Sequence, residues 1–207
     1  MERIPGLRSG SIGFNAWFNP TTVSGEHANL STRPTTDRLV MATLSTLALG
    51  DNVASLNAKQ INYDGTRAAD GSLAWVVECQ SSGGLPLEWG LALTAGKRTD
   101  ATATNPTSGL DDLGGSPTST AFGASMYVHL FAFSGTSVTF TLRDAATEPT
   151  YAAVTGGGST AMSAIGSQRW ATSSTQTIRR FLTIGTSGTF SNAVFYVAVT
   201  RHLTLSL

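Results

Sequence analysis

The stretch MYVHLFAFSGTSVTFTLRD, residues 126–144, decides the fold class. Val138, Phe140 and Leu142 alternate with Thr139, Thr141 and Arg143, the period-2 pattern of a strand with one face inward. MYVHLFAF is apolar on both faces, which suits a central strand or one covered by another subunit. Ser134-Gly135 between the two runs reads as a tight turn, so the stretch predicts a β-hairpin.

The same reasoning extends outward. Strands are expected around TYAAV, SQRWATS, TIRRFLTI and AVFYVAVTR, with turn signals at about ten-residue intervals, as in a sandwich. SGTSVTFTL and SGTFSNAVFYVAV look alike, but this is shared strand-and-turn chemistry and not a repeat. SIGFNAWF (11–18) predicts a short strand stopped by Asn19-Pro20, followed by loop to Pro34. In INYDGTRAADGSLAWVVECQ (61–80), Ile61 and Tyr63 close one strand while Leu73, Trp75, Val77 and Cys79 alternate along the next. The two Asp-Gly pairs bend the chain between them, with Arg67 expected to be held between Asp64 and Asp70.

Two short helices are predicted. Thr35-Thr36-Asp37 offers an N-cap to RLVMATLSTLALG, where Val40, Leu44 and Leu47 share a helical face and Gly50 stops it, giving a helix over about 37–48. LPLEWGLALTAG predicts a second over about 86–95, with Gly96 at its C-terminus. Residues 99–120 are almost wholly Thr, Ser, Gly, Pro and Asp. Such a length without structure is uncommon inside a compact domain, so it reads as a flexible insertion or as an arm that orders against a partner. The prediction is a mainly β, sandwich- or barrel-like single domain over 1–207.

Composition narrows the function. Charged residues make up 13% of the chain, against about 25% in ordinary globular proteins, and little surface charge opposes association. About a quarter of the residues are Ser or Thr, and β-branched Thr fits pleated surfaces. The formal net charge is zero, so the basic surplus of a phosphate-gripping nucleic-acid binder is missing. MERIPGLRSG lacks the apolar core of a signal peptide, and no run has the length of a membrane-spanning helix. The lone Cys79 rules out an internal disulfide framework. Folding in a cytoplasm is the expectation.

No reacting constellation emerges. His27, His129 and His202 lie far apart, without the close pair that a tetrahedral metal site usually shows; His129 reads as a hydrogen-bonded sheet residue. No Ser stands in a nucleophile elbow, and Cys79 falls at an inward strand position. Gly156–Gly158 lack the Lys of a phosphate loop. Asp111-Asp112 in a Gly-rich loop read as solvated, and DGTRAADG offers too few oxygens for calcium. The charged tip Asp64, Arg67, Asp70 is instead a candidate subunit contact, where charges fix register more than they add affinity. No cofactor, no metal and no catalysis are expected. Trp17, Trp75, Trp89 and Trp170 are scattered in the manner of core packing.

Several stretches together carry a resemblance. GLRSGSIGFNAWFNP, TTDRLVMATLS, KQINYDGTRAADGSLAWVVECQ, LEWGLALTAGKRTD, STAFGASMYVHLFAFSGTSVTFTLRDA and RRFLTIGTSGTFSNAVFYVAVTR resemble the major tail (tail tube) proteins of long-tailed phages of actinobacteria, over about Gly6 to Arg201. The resemblance lies in strand and turn patterns and carries no active-site signature. It implies a β-sandwich or barrel-like subunit with a small helix, six copies in a ring, and rings stacked into a tube that conducts double-stranded DNA without binding it specifically. Partners would be further copies of the chain and other tail proteins, with no membrane, and the location would be the virion tail after assembly in the host cytoplasm. A lumen without basic surplus would let phosphates slide; Asp111, Asp112 and Glu78 are candidate lumen acids. The C-terminal LTLSL, with Leu203 and Leu205, could add a strand to a neighbour. The alternatives are a capsid or tail decoration or carbohydrate-binding β-sandwich, which exposed aromatics in one patch would favour, and an enzyme.

Overall fold

The computed structural model describes residues 10–18, 27, 30, 31 and 36–204. Strand accounts for 60% and helix for 1% of the described residues, so the mainly β, sandwich- or barrel-like prediction holds and the two helices do not. The chain forms two compact units, Met1–Ala42 with Ser55–Glu88, and Thr43–Ala54 with Trp89–Leu207.

The first unit is built on β1 (Ser11–Trp17), β3 (Asn52–Arg67, from Ser55 on) and β4 (Leu73–Ser81), with β4 central and both partners antiparallel to it. The register sets Ile12 opposite Cys79, Phe14 opposite Val77, and Val77 opposite Tyr63. Directly opposed residues share a face. On this inner face Val77 and Cys79 are buried, and the Tyr63 and Trp75 rings stack at 4.2 Å with Phe18 and His27 beside Trp75. The β3–β4 hairpin predicted for 61–80 is present, but β3 runs past Tyr63 to Arg67, so Asp64-Gly65 lies within the paired strand and only Asp70-Gly71 turns the chain. The turn is closed by Ala68 N–H to Ser72 O and Gly71 N–H to Ala68 O, with Gly71 at φ +86°.

The predicted helix over 37–48 is instead β2 (Arg38–Thr43) followed by an irregular loop. Asp37 caps nothing: its carboxylate accepts from Asn57 Nδ2 and Ser82 Oγ and lies 3.6 Å from Lys59. The loop expected up to Pro34 falls mostly outside the described residues, although His27 and Leu30 are helical.

The second unit is organised by β9 (Ala124–Ala145, 22 residues) and β13 (Phe181–Arg201, 21 residues). They pair antiparallel throughout, from Phe181 opposite Ala145 to Arg201 opposite Ala124. The predicted hairpin at Ser134-Gly135 is therefore wrong, since MYVHLFAF and TSVTFTLRD lie on one continuous strand. The separation of TIRRFLTI from AVFYVAVTR is wrong only from Phe181 on, where β13 begins and runs through both, while Ile178–Arg179 form a short strand of their own. A straight strand of this length would span about 70 Å, roughly twice the width of a compact unit of this size. The ribbon bends instead. Register shifts leave Phe131, Thr136 and Ser191 without an opposite residue, and such bulges sharpen bend and twist.

One contact measures the bend. Phe195 lies opposite Leu130, ten residues from Phe140 along β9, or about 33 Å in a straight strand. Yet the Phe140 and Phe195 rings meet edge-on at 4.8 Å. The two halves of the ribbon thus close on one core that includes Met126, Val128, Phe140, Leu142, Ile184 and Val197. The Ser-Gly signals at 134–135 and 187–188 mark this corner: Gly135 pairs with Phe190 and Gly188 with Val138. A Cβ on Gly188 (φ +116°) would lie 2.3 Å from Ser137 O, and one on Gly135 would lie 2.4 Å from Phe190 Cα.

Shorter strands complete this unit. β10 (Ala152–Gly158) and β11 (Gly166–Ala171) flank β9, while β5 (Glu88–Ala92), β6 (Arg98–Asp100) and β7 (Leu110–Asp111) flank β13. β8 (Ser119–Thr120) pairs with β12 (Ile178–Arg179). The predicted helix over 86–95 is thus β5: Leu91 and Ala92 pair with Val199 and Ala198, and Gly90 admits the Val199 carbonyl where a Cβ would lie 2.3 Å away. Pairing with β13 overrides the helical propensity of LPLEWGLAL.

Candidate assembly surface

The residues of the β3–β4 tip do not form the expected constellation. Asp64, Arg67 and Asp70 are all exposed, with Asp64 and Arg67 on β3 and Asp70 in the turn. Asp70 Oδ1 accepts from Ser72 N–H at 2.9 Å and from Ser72 Oγ at 2.7 Å, and these bonds hold its carboxyl below the usual carboxylate range. Among the described residues no ion pair joins Arg67 to either acid, so the reading of Arg67 as clamped between them is corrected. The opposite face of this sheet carries Asn15, Trp17, Asp64, Thr66, Ala74, Val76 and Glu78. There Trp17 is 72% exposed, against the expectation of core packing. Trp89 is also exposed, whereas Trp170 packs on the core and donates to Gly157 O.

Residues 99–120 are tied down at four residues, Asp100, Thr104, Asp111 and Asp112. Arg98 makes paired bonds to Asp100, which also accepts from Thr186 Oγ1. Thr104 and Thr186 exchange backbone bonds. Arg180 pairs with Asp111 through both of its carboxylate oxygens, and this bonding holds the Asp111 carboxyl low. Arg201 does the same to Asp112 at 2.6 and 2.7 Å, while its remaining donors reach Thr120 Oγ1, Ile178 O and Arg179 O. The side chains of Arg201 and Asp112 are only 5% and 4% exposed. The expectation of two adjacent solvated acids is corrected: each Asp serves a different arginine. The segment is an ordered strap along β13. Leu203 is exposed just beyond β13 and outside any strand; Leu205 lies outside the described residues.

A further surface feature follows β2. The loop 44–51 is braced by Leu44 N–H to Asn52 O, Ala48 N–H to Asp51 Oδ2, Gly50 N–H to Ala92 O and Gly96 N–H to Leu47 O. Its leucines nonetheless face outward: Leu44 is 65% exposed and Leu47 and Leu49 are 42% exposed. Leu47 has φ +65°, a left-handed backbone that costs a bulky residue of order 1–2 kcal/mol. The sequence reading places Leu44 and Leu47 on a helix face, and Leu49 falls just past that predicted helix.

Among the described residues no group of three His, Cys, Asp or Glu could hold a metal. Cys79 is buried, which pushes its thiol pKa up. Burial likewise lowers the pKa of His129, which stacks on Phe131. His202 Nε2 lies 3.0 Å from Ser125 Oγ, but Ser125 is fully buried and also accepts from Arg169, so the pair ties the end of β13 to the sheet. A shallow pocket of about 200 Å³ lies between Asp144, Val154, Gln176 and Arg179. No family model, curated protein or solved structure matches the chain.

Proposed function

We propose that this chain is a structural subunit that assembles with copies of itself, as the subunit of a phage tail tube does. The observation that carries the reading is the apolar surface. Leu44, Trp17, Trp89, Ile165 and Leu203 are each more than half exposed on a chain of zero net charge and 13% charged residues. Each of these side chains would gain by burial against another copy, and the low charge leaves copies free to approach. The outer edge of β1, SIGFNAW, has no strand partner among the described residues and carries no Lys, charge or Pro to blunt it. It offers backbone groups to a neighbour's strand. The resemblance to tail tube proteins adds rings stacked into a tube, DNA as passing cargo and the virion tail as the location.

Negative-stain electron microscopy at high protein concentration, with mass photometry, tests this. Rings or tubes of uniform diameter are expected; monodisperse monomers at every concentration would overturn it. One observation favours a second reading, a carbohydrate-binding or decoration module: Trp17 stands exposed on a sheet face with Asn15, Asp64 and Glu78, an aromatic platform beside polar groups. A glycan array separates the two, since a tube subunit gives no hits.

A further inference from the structure

We infer that the loop Leu44–Leu49 is a preformed anchor that inserts into a second copy of this chain; the inference rests on the self-assembly reading and names a surface for it. Its backbone is fixed at both ends and at its middle, by Asn52, by the Asp51 carboxylate, and by the bonds of Leu47 and Gly50 to Gly96 and Ala92. A loop so braced would ordinarily turn its apolar side chains inward. Here Leu44, Leu47 and Leu49 point to solvent, and Leu47 is held in a left-handed conformation. Strain of this kind persists where the surroundings impose it, and it clusters at sites with a task. Rigid apolar side chains on a fixed backbone lose little entropy on docking.

The occupant follows from charge. Leu39 to Gly50 contains no charged residue, which disfavours a nucleic acid or an anionic membrane as the partner. Apolar side chains that would receive the loop are present on the same chain: Trp17 and Val76 are exposed on the sheet of the first unit, on strands whose register places them on one face, which they share with Asp64 and Glu78. Contact between different patches of identical chains is heterologous, and it propagates into rings or filaments. Three leucines fall short of a standard interface, so the loop is an anchor within a larger contact.

The test is sedimentation velocity over a concentration series on the full chain, Leu47→Gly, and the double variant Leu44→Ser/Leu49→Ser. Leu47→Gly removes the anchor and the strain together. It is expected to leave the thermal midpoint unchanged or higher while moving the association midpoint to about tenfold higher concentration. The double variant is expected to shift association similarly. If the parent forms rings or tubes and both variants form them at the same concentration, the anchor is overturned and the assembly reading stands. A lowered thermal midpoint in Leu47→Gly would show that Leu47 packs internally, which also overturns it. A parent that stays monomeric overturns both readings, and flotation of that monomer with neutral phosphatidylcholine vesicles would assign the loop to a membrane instead.

Discussion

Single residues at the ribbon's corner are expected to matter more than any charged group on the surface. Gly188→Ala places a Cβ 2.3 Å from Ser137 O at a positive φ. Chemical denaturation should therefore show a loss of about 2–4 kcal/mol, and a loss under 1 kcal/mol would contradict the described corner. The two adjacent aspartates should part company under mutation. Asp112→Ala leaves Arg201 buried without its counter-ion and should cost about 3–5 kcal/mol. Asp111→Asn, on a partly exposed pair, should be nearly silent in the same assay. Equal effects would mean that Asp112 is not the buried partner. At the β3–β4 tip, Arg67→Ala should leave the monomer folded and weaken association on gel filtration with light scattering; unchanged assembly removes Arg67 from the interface.

At the scale of elements, the strap 99–120 has a pH dependence whose sign is fixed. The Arg180 bonds depress the Asp111 carboxyl, so the native state favours its charged form. The stabilisation is complete above the ordinary carboxylate pKa of about 4 and is lost as pH falls through the lower native value. Amide exchange at Leu113 and Gly114, corrected for intrinsic rates, should show constant protection from pH 7 to 5 and a loss below about pH 4. Asp111→Asn should remove that step. The strands were legible because period-2 patterning is local: Val138, Phe140 and Leu142 read inward and are inward. Ser134-Gly135 signalled a real break in the ladder, but a bulged corner and a hairpin turn need the same residues, and only the distant β13 decides between them. The false helix over 37–48 has the same origin. Its apolar spacing fitted a 3.6-residue period, while Asp37 found its partners at Asn57 and Ser82, far along the chain.

For the whole molecule, the mainly β class was legible from composition and alternation, and the candidate surface only partly. The Asp64, Arg67 and Asp70 tip and the acids Asp111 and Asp112 stood out because charge is scarce, yet their partners (Ser72, Arg180 and Arg201) could not be assigned without the ladder. The exposed leucines and Trp17 were hidden for the opposite reason: an apolar residue carries no mark in the sequence of which side it will face. Deleting Leu203–Leu207 should abolish or weaken assembly if the C-terminal segment adds a strand to a neighbour; rings of unchanged stability would refute that contact.

The long ribbon also has a history in time. β9 is complete at Ala145, but its partner begins at Phe181 and ends at Arg201. At about 5–20 residues per second of synthesis, the 36 residues from Ala145 to Phe181 and the 77 from Ala124 to Arg201 correspond to waits of about 2–15 s. During that interval MYVHLFAF, apolar on both faces, has no β13 to pair with. The nascent chain therefore carries a sticky strand past every neighbouring ribosome that is making the same protein, and crowded translation favours misassembly before the first subunit is finished.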